Sequence, residues 1–265
     1  TVRVSSPGAL GISTVTSGAT GSIDLNRSDA TQGLEVRSDV TNWSAIGTRV
    51  RGNNNGFILD HAIGSYGFNS INRTLNFGNV SLDTNAVLQM NARNGLSNSI
   101  SGPSGTIVWA SGGTGQFANA GNGTFTINAS ISRASETSGR TFTITSTGEM
   151  VLTGNFLQAG TGAVTFTKAG TGISTIQGTA GTYTGSTNVS AGTLSFSNIG
   201  AFSSSSAINI GNATTTAGTL TYTGPVATLA KTILLNTTTA PVYINASGSG
   251  ALTISTITNT VAGAK

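Results

Sequence analysis

The sequence predicts an all-β chain wound as a β-solenoid, and three observations carry that prediction. Between Val164 and Phe196, short bursts alternate apolar or β-branched residues with polar ones (VTFT, ISTI, TNV and TLSF). A period of two sends successive side chains to opposite faces of a strand. Each burst is separated from the next by Gly-Thr, Ala-Gly or Gly-Ser, and glycine supplies backbone angles that let the chain turn sharply. No apolar stripe recurs at three-to-four spacing, and Thr, Ser and Gly stand where a helix would place Leu, Glu or Lys.

The same rhythm runs in looser form through the whole chain. Val2-Arg3-Val4 and Ser22 to Leu25 read as the first strands. In Gly33 to Arg37, Leu34 and Val36 share one face while Glu35 and Arg37 share the other. Asn42 to Arg51 is less regular. Asn53-Asn54-Asn55-Gly56 is a turn, because Asn and Gly tolerate positive φ, and Phe57 to Leu59 follows it as a strand. Thr74 to Phe77, Val80 to Leu82, Ala86 to Asn91 and Thr106 to Ala110 come next. From Thr124 the rhythm tightens through TFTINA, TFTITS, MVLTG and VTFTK. After Phe196 it continues through Ala207 to Ile210, Gly218 to Tyr222, Thr232 to Leu235, Val242 to Asn245 and Leu252 to Ile257. The chain divides by regularity: residues 1–155 form an irregular, more charged solenoid or β-rich portion, and residues 156–265 a regular solenoid. At roughly 20–25 residues per coil the chain would make about a dozen coils, a rod on the order of 55 Å long.

Composition narrows the function classes. Only 8% of the 265 residues are charged, against about 25% in ordinary soluble domains, and there are 37 glycines. High Gly with low charge can mark disorder, but disordered chains usually carry high net charge and few β-branched residues, whereas Val, Ile, Thr and Leu recur throughout this one. The net charge of +4 comes from 12 scattered cations; with no basic cluster, a nucleic-acid groove is not expected. After Glu149 only Lys168, Lys231 and Lys265 are charged. Cysteine is absent, so no disulfide or thiolate metal site is available. No run of eighteen apolar residues exists to span a membrane as a helix. Beginning at Thr1 and ending without the amphipathic strands of an outer-membrane barrel, the chain reads as a processed or excised segment.

The residues from Thr167 to Leu194 carry a family resemblance. Thr167-Lys168-Ala169-Gly170-Thr171-Gly172, then Ile173 to Ile176, Gly178, Tyr183-Thr184-Gly185-Ser186-Thr187, Val189 and Ala191-Gly192-Thr193-Leu194 together resemble the autotransporter-associated β-strand repeat. The repeat residues by that likeness are Lys168, Gly170, Gly172, Tyr183, Gly185, Thr187, Gly192 and Leu194. The likeness covers about thirty residues and implies a right-handed parallel β-helix in an exported bacterial protein, extracellular or displayed on the cell surface. At Ser174-Thr175 the chain departs from the family's alternating Thr-Leu run, so a smaller group fills one buried position.

Candidate chemistry is sparse. Asp60-His61 could be a base oriented by a carboxylate, but neighbours in a strand face opposite ways and no nucleophile pattern accompanies them. Asp24, Asp29, Glu35 and Asp39 match no calcium loop and have Arg27 and Arg37 among them, so solvated ion pairs are the better reading. Threonine runs such as Thr141 to Thr145 could form a hydroxyl ladder of the ice-binding kind, although their spacing does not repeat from coil to coil. Asn-x-Ser/Thr triplets at Asn72, Asn128, Asn188, Asn236 and Asn245 are expected by chance in so Ser- and Thr-rich a chain. Trp43, Tyr66, Trp109 and Tyr183 could stack on sugars, with core or turn packing preferred.

No cofactor is expected. The function expected is structural and non-enzymatic: a fibre or filament subunit. Val2, Arg3 and Val4 at one end and Thr256, Ile257 and Val261 at the other would present strand edges for head-to-tail joining to further copies. The alternatives are a monomeric adhesin that binds glycans along its side and, third, a polysaccharide-active enzyme.

Overall fold

The computed structural model describes backbone and side chains at residues 106–109, 114–212, 216–237 and 239–261, and the backbone of the strands before residue 106. The strands are β1 (Val2–Val4), β2 (Gly21–Leu25), β3 (Leu34–Val36), β4 (Asn42–Trp43), β5 (Ile46–Val50), β6 (Gly56–Asp60), β7 (Arg73–Phe77), β8 (Val80–Leu82) and β9 (Val87–Asn91). They continue with β10 (Ser97–Trp109), β11 (Gly115–Asn119), β12 (Thr124–Arg133), β13 (Arg140–Ser146), β14 (Glu149–Leu152), β15 (Phe156–Leu157), β16 (Val164–Ala169) and β17 (Ile173–Ile176). The last are β18 (Thr187–Val189), β19 (Gly192–Phe196), β20 (Ile208–Ile210), β21 (Gly218–Tyr222), β22 (Ala227–Leu235), β23 (Val242–Ala246) and β24 (Leu252–Asn259). A single short 3-10 helix, Ile199–Phe202, interrupts them among the described residues.

Every strand pairing is parallel, and almost every one skips at least one strand in sequence. One nine-stranded sheet runs β6-β9-β11-β13-β16-β18-β20-β22-β24; a thirteen-stranded sheet follows β2-β5-β8-β10-β12-β14-β17-β19-β21-β23, with β4, β7 and β15 attached. The chain visits the two sheets in turn, which is the winding of a β-solenoid. Long strands serve two shorter ones: β12 pairs with β14 through Thr124 to Ile127 and with β15 through Ile131 and Ser132. A coil therefore has three segments, and in the coils that follow the third is a loop or the 3-10 helix.

Register explains both the regularity and the length of the stack. Phe142, Phe166, Thr187, Ile208, Ile233 and Ile257 stand one above the next, at about 21–25 residues per coil. Earlier coils are longer: Thr48 pairs with Val80 and Phe57 with Leu88, separations of about 31–32 residues. The stack is consequently shorter than the dozen coils expected. Nine strands about 4.8 Å apart span about 38 Å.

Inward positions follow the predicted alternation: β16 buries Val164, Phe166 and Lys168 and leaves Thr165, Thr167 and Ala169 half-buried. An aromatic chain threads the core. Trp109 meets Phe142 edge-on (5.4 Å between ring centres), Phe142 meets Phe156 (5.3 Å), and Phe156 meets Phe166 (5.3 Å) and Tyr183 (5.1 Å). Edge-to-face geometry adds to the burial term. Trp109 and Tyr183 are therefore core residues and not sugar platforms, while the side chains of Trp43 and Tyr66 lie outside the described residues.

The structure differs from the sequence reading in four elements. β10 starts nine residues before Thr106; β11 and β15 were not expected; and Ala227 to Lys231 extend the strand expected from Thr232. Hydroxyls also align better than their sequence spacing suggests: half-buried Thr175 and Thr221 flank the buried Ser195 as stacked partners, and Thr141 stacks with Thr165.

Candidate functional site

The polar residues of the repeat turn inward at one corner of the solenoid. Lys168 is the fifth residue of β16, so alternation places it inside, between Ile144 below and Val189 above. It is fully buried. No carboxylate meets it; instead Nζ donates to the backbone carbonyls of Ala169 (2.7 Å), Gly170 (2.7 Å) and, in the next coil, Ala191 (3.2 Å). Three donors meet three acceptors, which ties two successive turns together. Burial pushes its pKa down to about 8, because a charged group loses its hydration there.

Tyr183 and Thr187 form the second polar contact of the repeat. The Tyr183 hydroxyl is 2.7 Å from Thr187 Oγ1, which is 3.0 Å from Ser205 Oγ. All three residues are buried, and burial raises the Tyr183 pKa above its ordinary value. Ser174 fills the smaller position expected at the departure from the family pattern: it is buried, in register with Met150 and Leu194, and lies 3.3 Å from Ser146 Oγ.

The repeat glycines let these turns stack. Gly170 and Gly192 have φ of 75° and 63°, a region that disfavours side chains. At Gly172 an added Cβ would lie 2.1 Å from the Gly148 carbonyl oxygen of the coil below. Gly185 is equally close to backbone, and Leu194 is fully buried. The repeat residues thus build the corner of a coil.

Charged chemistry is confined. Arg133 is buried over Trp109 (5.7 Å from guanidinium to ring centre), donates to the carbonyls of Gly162 (3.0 Å) and Ser138 (2.6 Å), and pairs with Glu136. Arg140 adds a second cation 3.8 Å from Glu136. Glu149 accepts from Thr124 Oγ1 (2.9 Å). Among the described residues no three His, Cys, Asp or Glu come together. The side chains of Asp24, Glu35 and Asp60, together with Asp29, Asp39 and His61, lie outside the described residues.

The two ends differ from the middle. Among the described residues β24 pairs only with β22, and β23 only with β21. Ile257 continues the inward column of Phe142, Phe166, Thr187, Ile208 and Ile233, each of which is fully buried, yet Ile257 itself is 51% exposed. Thr256 is its neighbour in β24, and Val261 lies just past the strand, donating from its backbone N–H to Asn259 Oδ1. At the other end Val2, Arg3 and Val4 form β1, which among the described residues pairs only with β3. Five of these six residues occupy the first and last strands and Val261 follows the last; sequence reasoning located them from their strand character, and the exposed top of the inward column needed the register.

The fold and these contacts define a parallel β-solenoid. Comparison with protein-family models, with curated proteins and with solved structures finds no match for the chain. Among the described residues no helix is long and apolar enough to cross a membrane.

Proposed function

We propose that this chain is a non-enzymatic structural solenoid whose copies join end to end into a filament outside the bacterial cell or on its surface. The observation that carries the reading is the exposed Ile257 at the top of an otherwise buried column: among the described residues the coil of β23 and β24 presents an apolar surface and an unpaired parallel edge. Nothing in β23 or β24 is charged, whereas strands that must stay unpaired usually carry a charge or Pro. Among the described residues β1 pairs with β3 alone and offers a second parallel edge, with Val2 and Val4 two positions apart in its sequence. A head-to-tail contact that does not close by rotation propagates into a fibre. The described carboxylates Glu136 and Glu149 are already engaged, which favours a role without catalysis. The exported, surface location rests on the likeness of residues 167–194 to the autotransporter-associated repeat.

Negative-stain electron microscopy of the purified chain tests the proposal, beside a copy lacking residues 1–6 and the variant Ile257→Lys. Filaments from the unmodified chain that disappear in both variants are the expected result. Filaments that persist in both would refute this joint. Short rods in every sample would refute the filament itself and favour a monomeric adhesin.

A further inference from the structure

The outer face of the nine-stranded sheet carries a groove of about 380 Å³ lined by Asn188, Ser190, Asn209, Asn212, Asn236 and Val261, with Gly211 at its floor. Its walls come from four successive coils. Asn188 and Asn209 are register partners on the outward side. Ser190, Gly211 and Asn236 follow at the ends of the same strands, where the N–H groups of Ser190, Gly211 and Asn236 bond to carbonyls of the coil before.

The amides are held in place. Asn209 Nδ2 donates to Asn188 Oδ1 (2.6 Å), which also accepts from Ser186 Oγ (3.0 Å), and Thr260 Oγ1 donates to Asn236 Oδ1. These bonds fix the rotamers but do not use the Ser190 hydroxyl, the Asn209 carboxamide oxygen or the Asn236 amide nitrogen. The groove thus offers fixed neutral donors and acceptors side by side, with Val261 as an apolar wall. Among the described residues no Lys, Arg, His, Asp or Glu lines it, so the described lining offers no charge to an anion or a cation. A ligand suited to it is uncharged, carries hydroxyls that both donate and accept, and has C–H faces for the Val261 side.

We propose that this groove binds a neutral saccharide along the side of the rod. Its volume lies in the range of small-molecule sites, about 300–1,000 Å³, and pre-oriented amides lower the ordering cost of binding. The groove shares Val261 with the proposed end-to-end surface, but Asn188 and Asn209 belong to β18 and β20, so an effect of Asn209→Ala on saccharide binding is distinguishable from loss of the filament.

A glycan array carrying both neutral and acidic oligosaccharides, read with labelled protein, tests it. The comparison proteins are Asn209→Ala, Asn236→Ala and, on the opposite sheet, Thr221→Ala, each first verified to keep the melting temperature of the parent. The expected result is retention of neutral glycans, weakened about tenfold by either Asn substitution and unchanged by Thr221→Ala; about tenfold corresponds to one hydrogen bond. No retained neutral glycan would overturn the proposal. So would binding that both Asn variants keep, or a preference for acidic glycans.

Discussion

Replacing Lys168 by Met should flatten the pH dependence of stability. In the folded chain Lys168 titrates at about 8, whereas in the unfolded chain it holds its proton up to about 10.4. Below about 8 both states are protonated and the group adds no slope. Between the two values the unfolded chain binds more protons, so stability rises with pH across this window. The difference of a little over two pKa units corresponds to about 3 kcal/mol. Methionine keeps the unbranched stem and removes the titrating group, although it leaves the carbonyls of Ala169, Gly170 and Ala191 without their donor. Urea unfolding at pH 7.5 and 10.5 (about those values, chosen to bracket the window) measures the effect as a difference between the two proteins. Tyr183 is common to both and cancels. Parallel pH profiles would refute the argument: they would mean that the three carbonyls hydrate the ammonium as well as water does.

Two further predictions concern packing. Phe142→Ala removes the ring shared by Trp109, Phe117 and Phe156 and should lower stability by about 3–5 kcal/mol, read from denaturant midpoints. Gly172→Ala forces a methyl to within 2.1 Å of the Gly148 carbonyl and should cost at least about 2 kcal/mol, whereas Gly139→Ala, with its nearest atom 3.4 Å away, should change stability by less than about 0.5 kcal/mol; equal effects would refute the close-stacking account.

Strands were legible wherever both faces alternate, as in Val164 to Lys168 or Gly218 to Tyr222, because burial on one side leaves a period of two in the sequence. β15 was not: Phe156 and Leu157 are too short a run to show a period, and only the second half of β12 makes them a strand. Lys168, Tyr183 and Thr187 were legible as a repeat but not as interior groups. Their chemistry marks surface residues in most chains, and their partners are backbone carbonyls or hydroxyls, of which Ala191 and Ser205 belong to the next coil. The Asn188–Asn209 wall was hidden for a related reason. Unequal coil lengths place its members at separations that no fixed spacing would reveal.

The variable third segment of each coil has a further consequence. Between Ile176 and Thr187 it is a loop, between Phe196 and Ile208 it holds the 3-10 helix, and beyond Tyr222 it runs straight into β22. Strand register on the two main sheets survives all three solutions, because each strand answers to the one beneath it and not to the path between them. Such a chain can acquire or shed surface decoration one coil at a time, and a duplicated coil finds its floor already built. Evolutionary change in length and in ornament is thereby uncoupled from the interior, which needs to match only its nearest neighbours.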